Sequence, residues 1–103
     1  MTDTAYDVKE KVKINMDVPL PKKYSVVYFN DDTTSSLFVA QSLIEFFNYS
    51  FDAAIEITNT IHESGSGVVA HGLSHEIAHH LRTLVVSRAR NENYPLRVDV
   101  QPE

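Results

Sequence analysis

The spacing of hydrophobic residues changes several times along the chain, and these changes predict three β-strands. Residues 24–29, YSVVYF, are β-branched and aromatic without a breaker, which favours a strand. Residues 67–73, GVVAHGL, form a second short apolar run. In residues 95–100, PLRVDV, the apolar residues Leu96, Val98 and Val100 alternate with polar ones, as in a half-buried strand.

Short polar residues mark the start of three predicted helices. Thr34 or Ser35 precedes the first helix, Ser50 the second and Ser74 the third, and their hydroxyl oxygens can accept a hydrogen bond from the first helical turn. Gly65 is expected to stop the second helix, because glycine readily adopts the left-handed conformation of a helix end. The predicted element order is therefore β-α-α-β-α-β.

Apolar residues at helical spacing predict which face of each helix is buried. These faces consist of Val39, Leu43 and Phe46 or Phe47 in the first helix, of Phe51, Ala54, Ile55, Thr58, Ile61 and His62 in the second, and of Ile77, Leu81, Leu84 and Val85 in the third. So few strands with interspersed helices favour an α+β fold, in which a small three-stranded antiparallel sheet is covered on one face by three helices.

Composition indicates one globular domain that is preceded by an arm. The 103 residues are 43% apolar, which is enough for a single core. Residues 1–23 mix charges without a sustained period and end near Pro19 and Pro21, so we interpret them as a flexible arm and residues 24–103 as the domain. An edge strand over Val8, Val12 and Ile14 is the alternative interpretation of the arm.

Charge and residue usage narrow the classes of function. A net charge of −5 argues against nucleic-acid binding, which needs a basic surface, and the charged N-terminal region resembles neither a signal peptide nor a membrane span. Cysteine is absent, which excludes disulfides and thiolate metal sites and suits a reducing cytoplasm. We therefore expect a cytoplasmic monomer that binds proteins or peptides.

Residues 75–79, HEIAH, fit the H-E-x-x-H pattern of zinc metalloproteases. On the predicted third helix, however, His75 and His79 lie roughly 160° from Ile77, so they should face water. A third ligand is also missing, since no histidine follows His80 and only a neighbouring strand could bring His71 close. We therefore interpret the pair as a solvated face that could hold an adventitious metal ion, and we expect no metal or cofactor in the function.

Three stretches together resemble one known family. They are YSVVYFNDDTTSSLFVAQSLIEFF, IHESGSG and RARNENYPLRVDV, and with them the chain from about residue 21 to residue 100 resembles the Clp protease adaptor ClpS. This resemblance implies three antiparallel strands with three helices, a fold that also resembles the C-terminal domain of the ribosomal stalk protein. It further implies a protein that is not an enzyme. Such an adaptor binds substrates with N-terminal Phe, Tyr, Trp or Leu and delivers them to a ClpA-type AAA+ unfoldase for proteolysis by ClpP.

The resemblance also assigns roles to individual residues. Asn30, Asp31 and His62 would accept hydrogen bonds from the α-amino group of the substrate, and Glu76 would contact the unfoldase. The pocket for the N-terminal side chain would be formed by Asp32, Thr34, Ser36, Val39, Thr58, Ile61 and Leu96. Each assignment has an ordinary alternative, because Asn30 to Asp32 suit a turn, His62 suits the end of a helix and the apolar residues suit a core.

The sequence departs from the family pattern at two places. Ser36 and Thr58 stand where the family usually has methionines, so we expect a roomier and more polar pocket that favours Tyr or Trp over Leu, or that tolerates β-branched residues. Leu81 replaces a lysine of the surface that faces the unfoldase. Two alternatives therefore remain, namely a module of the same fold that modulates the Clp machine with altered ligand preference, and a zinc hydrolase built on HEIAH, which would need chelator-sensitive activity.

Overall fold

The computed structural model describes residues 21–103 and confirms the predicted α+β fold. The strands are β1 (Tyr24–Phe29), β2 (Ser66–Leu73) and β3 (Arg97–Pro102), and the helices are α1 (Ser36–Phe47), α2 (Phe51–Ser64) and α3 (His75–Asn91). Within the described residues the element order is the predicted one. The proposed arm falls almost entirely outside them, as does its alternative as an edge strand, and both stay predictions.

β1 is the central strand of the sheet, which has the order β2-β1-β3 with both neighbours antiparallel. Phe29, at the end of β1, pairs with Ser66 on one side and with Arg97 on the other. Because Arg97 faces the last residue of β1, Pro95 and Leu96 have no strand partner. The prediction that β3 begins at Pro95 was therefore wrong by two residues.

All three serine caps are present, and they begin the helices where the sequence predicts. Ser35 caps α1, Ser50 caps α2 and Ser74 caps α3, and each hydroxyl oxygen accepts a hydrogen bond from the backbone amide three residues later. Gly65 ends α2 with a φ of 90°. This conformation is costly for residues with a Cβ atom, which explains why glycine stands at this point.

The core lies between the sheet and the three helices. β1 contributes Val26 and Tyr28, whereas the flanking strands contribute Val69 and Val98, and all four are buried. The hydroxyls of Tyr28 and Ser42 are 2.8 Å apart, and the Ser42 hydroxyl donates to the backbone oxygen of Val39 at 2.7 Å. Ser42 has one proton to donate, so Tyr28 is the donor of the first bond.

The predicted buried faces of α2 and α3 were partly wrong. In α3 the buried residues are Ala78, Val85 and Ala89, whereas Ile77 is 54% exposed and Leu84 is also exposed. The small alanines allow α3 to approach the sheet closely, so the helix is rotated away from the face that hydropathy favours.

In α2 the residues Ala54, Thr58 and Ile61 are buried, as predicted, but Phe51 and Ile55 are exposed and lie beside α1. His62, which the sequence pattern placed on the same face, is exposed too. None of the helices within residues 21–103 combines the length and apolarity that a membrane crossing requires.

Candidate functional site

Asp31 organises the turn between β1 and α1. Its Oδ1 atom accepts hydrogen bonds from the backbone amides of Thr33 and Thr34 at 2.8 and 2.7 Å. Its Oδ2 atom accepts the hydroxyl proton of Thr34 at 2.8 Å. These contacts make Asp31 a turn-forming residue, which is the ordinary alternative that the sequence analysis gave for it.

The same contacts affect the charge of Asp31. Partial burial raises the pKa of its carboxyl group, but the hydrogen bonds from Thr34 and Thr33 lower it by more, so the pKa is below the usual value for aspartate. The group is therefore a carboxylate at neutral pH. Of its roughly four acceptor positions three are occupied by the turn, which leaves about one for another donor.

Asn30 connects this turn to the end of α2. Its backbone amide donates a hydrogen bond to the backbone oxygen of Gly65 at 2.9 Å. Gly65 follows the last turn of α2, which contains the exposed residue His62. The fold thereby brings the turn with Asn30 and Asp31 to the end of the helix that carries His62.

Three of the predicted apolar pocket residues belong to one hydrophobic cluster. Val39 of α1, Ile61 of α2 and Leu96, which precedes β3, are 7%, 3% and 6% exposed. Gly67 of β2 lies directly beside Ile61, because a Cβ atom added to this glycine would come within 2.8 Å of the Ile61 Cγ1 atom. Val39, Ile61 and Leu96, which we call the apolar floor of the predicted pocket, are thus densely packed and almost closed to solvent.

The other predicted pocket residues lie around this floor. Ser36 and Asp32 are exposed and Thr34 is half-buried. Thr58 is buried, and its hydroxyl donates to the backbone oxygen of Ala54 at 2.7 Å, so its polar group is satisfied within α2.

Two cavities border the predicted pocket. A cavity of about 480 Å³ between α1 and α2 includes Ser36 and Thr58, and a cavity of about 190 Å³ between α3 and β3 includes Leu96. Neither cavity includes the amine-binding candidates Asn30, Asp31 and His62. The structure therefore brings the candidates together in local groups, namely Asn30 with the end of α2, Asp31 with Thr34, and the apolar floor residues.

The histidine-rich region lies at the start of α3. His75 packs edge-on against Tyr24 with ring centroids 5.0 Å apart, and it stacks on His79 at 6.0 Å. Both histidines are exposed, as predicted, and so is Glu76 in the first turn. Residues 21–103 contain no group of three or more potential ligands that could hold a metal ion, so a zinc site at HEIAH finds no third ligand there.

Sequence reasoning missed three residues that hold predicted pocket residues in position. Tyr28 and Ser42 fix the backbone at Val39, and Gly67 makes room for Ile61. Gly67 is the first residue of the predicted second strand, and a glycine in a strand is a signal for a close approach of this kind. No comparable signal pairs Tyr28 with Ser42, because their contact depends on the packing of α1 across the sheet.

Comparison with known proteins gives a consistent picture. The family described as "ATP-dependent Clp protease adaptor protein ClpS" matches residues 19–99. The adapter protein ClpS of Oleidesulfovibrio alaskensis is 33% identical over 98% of both chains. The adapter protein ClpS of Helicobacter hepaticus is 42% identical over 76% of this chain and 78% of its own length.

A solved structure has the same fold. The structure of Agrobacterium tumefaciens ClpS2 bound to L-phenylalaninamide superposes with a TM-score of 0.78 at 31% identity, and the match covers 82% of this chain and all of that one. L-Phenylalaninamide presents a free α-amino group, a benzyl side chain and a carboxamide.

Proposed function

Since the chain belongs to the ClpS family of adaptors of the ATP-dependent Clp protease, we propose that it binds N-terminal degradation signals. The signal is a bulky apolar N-terminal residue, Phe, Tyr, Trp or Leu, with a free α-amino group. The adaptor delivers such substrates to a ClpA-type AAA+ unfoldase in the cytoplasm, and ClpP then degrades them. The adaptor itself is a monomer that catalyses no reaction and needs no cofactor.

The α-amino group of a substrate is mostly cationic at neutral pH and needs acceptors when it leaves water. Asn30 offers a side-chain carbonyl, Asp31 its remaining acceptor position, and His62 one ring nitrogen when its imidazole carries no charge. The negative charge that the turn maintains on Asp31 favours a cationic ligand. This chemistry supports recognition of a free N-terminus rather than of an internal segment.

The N-terminal side chain would enter above the apolar floor of Val39, Ile61 and Leu96, with Ser36 and Thr58 beside it. Burying a Phe or Leu side chain contributes about 1.5 to 3 kcal/mol, and each hydrogen bond to a charged group contributes about 1.5 to 3 kcal/mol. After the cost of association, affinities in the micromolar range, about −8 kcal/mol, are expected.

One observation carries the proposal beyond family membership. The hydrogen bond from Asn30 to Gly65 holds the acceptor turn against the end of α2. Ile61 of the same helix belongs to one apolar cluster with Val39 and Leu96. Acceptors for an amine and an apolar surface for a side chain are therefore supplied by adjoining elements.

The decisive experiment compares a peptide that begins with Phe with its N-acetylated form by fluorescence anisotropy. Acetylation removes the charge and leaves the side chain unchanged, so only the free amine should bind. His62→Ala should weaken binding at least tenfold, whereas His80→Ala, an exposed histidine on α3, should have no effect. Equal binding of the two peptides would contradict the proposal.

A second candidate function is that of a modulator of the Clp machine, and the exposed apolar residues of α3 favour it. Ile77, which follows the proposed unfoldase contact Glu76, is exposed there, and so is Leu84 on the same helix. A degradation assay with unfoldase and ClpP distinguishes the two functions. An adaptor accelerates degradation of a Phe-tagged substrate, and Glu76→Lys reduces this effect without changing peptide affinity, whereas a modulator binds the peptide and does not accelerate its degradation.

A further inference from the structure

An apolar groove runs between α1 and α2 on the outside of the molecule. We call it the α1–α2 groove and define it by Leu37, Ala40, Ile44, Phe51 and Ile55. The cavity that it encloses measures about 480 Å³, which is within the range of peptide and ligand sites. Ser36 and Thr58 also line this cavity.

Four of the five groove residues are exposed, and only Ala40 is buried. Leu37 and Phe51 are 67% and 66% exposed, and Ile44 and Ile55 are 37% and 38% exposed. These four side chains contribute little to the core but form one continuous surface. Contiguous exposed apolar surfaces of this kind mark interaction sites, since water contact with them is unfavourable.

The groove shares two residues with the proposed pocket for the N-terminal side chain. Ser36 and Thr58 belong to both, and both have short side chains. The Thr58 hydroxyl is bonded to Ala54, so it presents no unpaired polar group to an apolar ligand. A peptide anchored by its first residue therefore has an apolar surface within reach of its next residues.

The dimensions and charges of the groove fit the start of a polypeptide chain. From Ser36 to Ile44 the helix axis rises about 12 Å, the length of three to four extended residues. None of the residues that line the cavity is charged. An apolar side chain can therefore be bound there without the cost of removing a charged group from water.

We propose that the α1–α2 groove is a second subsite, which binds an apolar side chain at position 2, 3 or 4 of the substrate. This inference rests on the proposed function and extends it. The recognised signal then consists of a bulky first residue and a nearby apolar residue, so two substrates with the same first residue are delivered with different efficiency.

The test uses four peptides with a free amine and a C-terminal fluorophore, which begin FSSS, FLSS, FSLS and FSSL. At least one leucine position should tighten binding by about fivefold or more relative to FSSS, because part of a leucine is buried. Leu37→Gln, at an exposed site, should reduce this gain to less than about twofold while it leaves the affinity for FSSS unchanged. Ile77→Gln, an equally conservative change at an exposed site on α3, should retain the full gain.

The outcomes separate this inference from the function on which it rests. If FSSS binds but no leucine position improves its affinity, or if Leu37→Gln retains the gain, the second subsite is excluded and the proposed function stands. If the four peptides bind no better than their N-acetylated forms, both proposals fail. If Leu37→Gln alters sedimentation of the free protein and not the peptide series, the groove is a contact between two copies of the chain and the subsite is excluded.

Discussion

Asp31 illustrates how much a single residue can be constrained before any ligand is considered. The sequence predicts two roles for it, a turn former and an acceptor for an amine. The structure confirms the first role through three hydrogen bonds to Thr33 and Thr34. The second role stays a prediction, because the motif has the same letters whether the remaining acceptor position faces a ligand or water.

The lowered pKa of Asp31 predicts a specific dependence of stability on pH. A carboxyl group whose pKa is lower in the folded than in the unfolded state stabilises the fold above its unfolded pKa. This contribution is lost as the pH falls through the folded pKa, which lies below the ordinary value for aspartate. In urea unfolding, Asp31→Asn should therefore destabilise the protein more at pH 7 than at pH 2.5. A difference that is the same at both values would contradict the assigned hydrogen bonds.

Ser36 and Thr58 predict a preference among N-terminal residues. Their short side chains leave more room than the methionines usual in the family, so peptides that begin with Tyr or Trp should bind more tightly than one that begins with Leu. Ser36→Met with Thr58→Met should narrow this difference at least threefold, since it refills the space around a smaller side chain. Isothermal titration with the three peptides measures the ranking, and a wild-type protein that prefers Leu would contradict the prediction.

At the scale of elements, the ends of helices follow from local sequence and their faces do not. Ser35, Ser50 and Ser74 cap their helices through contacts that span three residues, so the sequence predicts them well. The buried face depends instead on which neighbours the helix meets. Ile77 is more apolar than Ala78, yet Ala78 is buried because its small side chain permits close packing.

This rotated face of α3 predicts opposite responses at adjacent positions. Ile77→Ser should change the free energy of unfolding by less than about 0.5 kcal/mol, as is usual for an exposed site. Ala78→Leu should destabilise the protein by about 1 to 3 kcal/mol, because the larger side chain does not fit into the packed interface. Urea denaturation monitored by circular dichroism measures both. A larger decrease in the free energy of unfolding for Ile77→Ser would indicate that Ile77 is buried, as hydropathy predicts.

The candidate site shows the same division between local and distant information. The turn around Asp31 and the end of α2 at Gly65 are short-range features that the sequence predicts. The α1–α2 groove was not predicted, because Phe51 and Ile55 have the helical spacing of core residues. Their exposure depends on how α1 and α2 pack against each other, which helical spacing does not specify.

At the scale of the whole molecule, one buried chain of hydrogen bonds couples the sheet to the site. It runs from the Tyr28 hydroxyl to Ser42 and from Ser42 to the backbone oxygen of Val39. Burial raises the pKa of Tyr28 far above its ordinary value, with the bond to Ser42 acting in the opposite direction, so the phenol stays protonated and remains a donor. The central strand thereby holds α1 at the residue proposed to form the floor of the pocket.

Removal of the Tyr28 hydroxyl should reduce both the stability of the fold and the affinity for a ligand. Tyr28→Phe retains the ring in the core and deletes one hydrogen bond, which should cost about 1 kcal/mol of unfolding free energy. Because Val39 lies at the other end of the chain of bonds, affinity for a Phe peptide should fall as well. Tyr94→Phe is the matched control at a half-buried tyrosine, and equal effects of the two variants would contradict the coupling.

The position of β1 between its two neighbours has a consequence for biosynthesis. The strand that forms the middle of the sheet is synthesised first, and its partner in β3 is separated from it by most of the domain, as the pairing of Tyr24 with Pro102 demonstrates. Closing so long a loop is slow and entropically costly. A nascent chain therefore exposes one unpaired side of β1 until residues 97–102 have been translated, and during that interval it is open to chaperones and to aggregation.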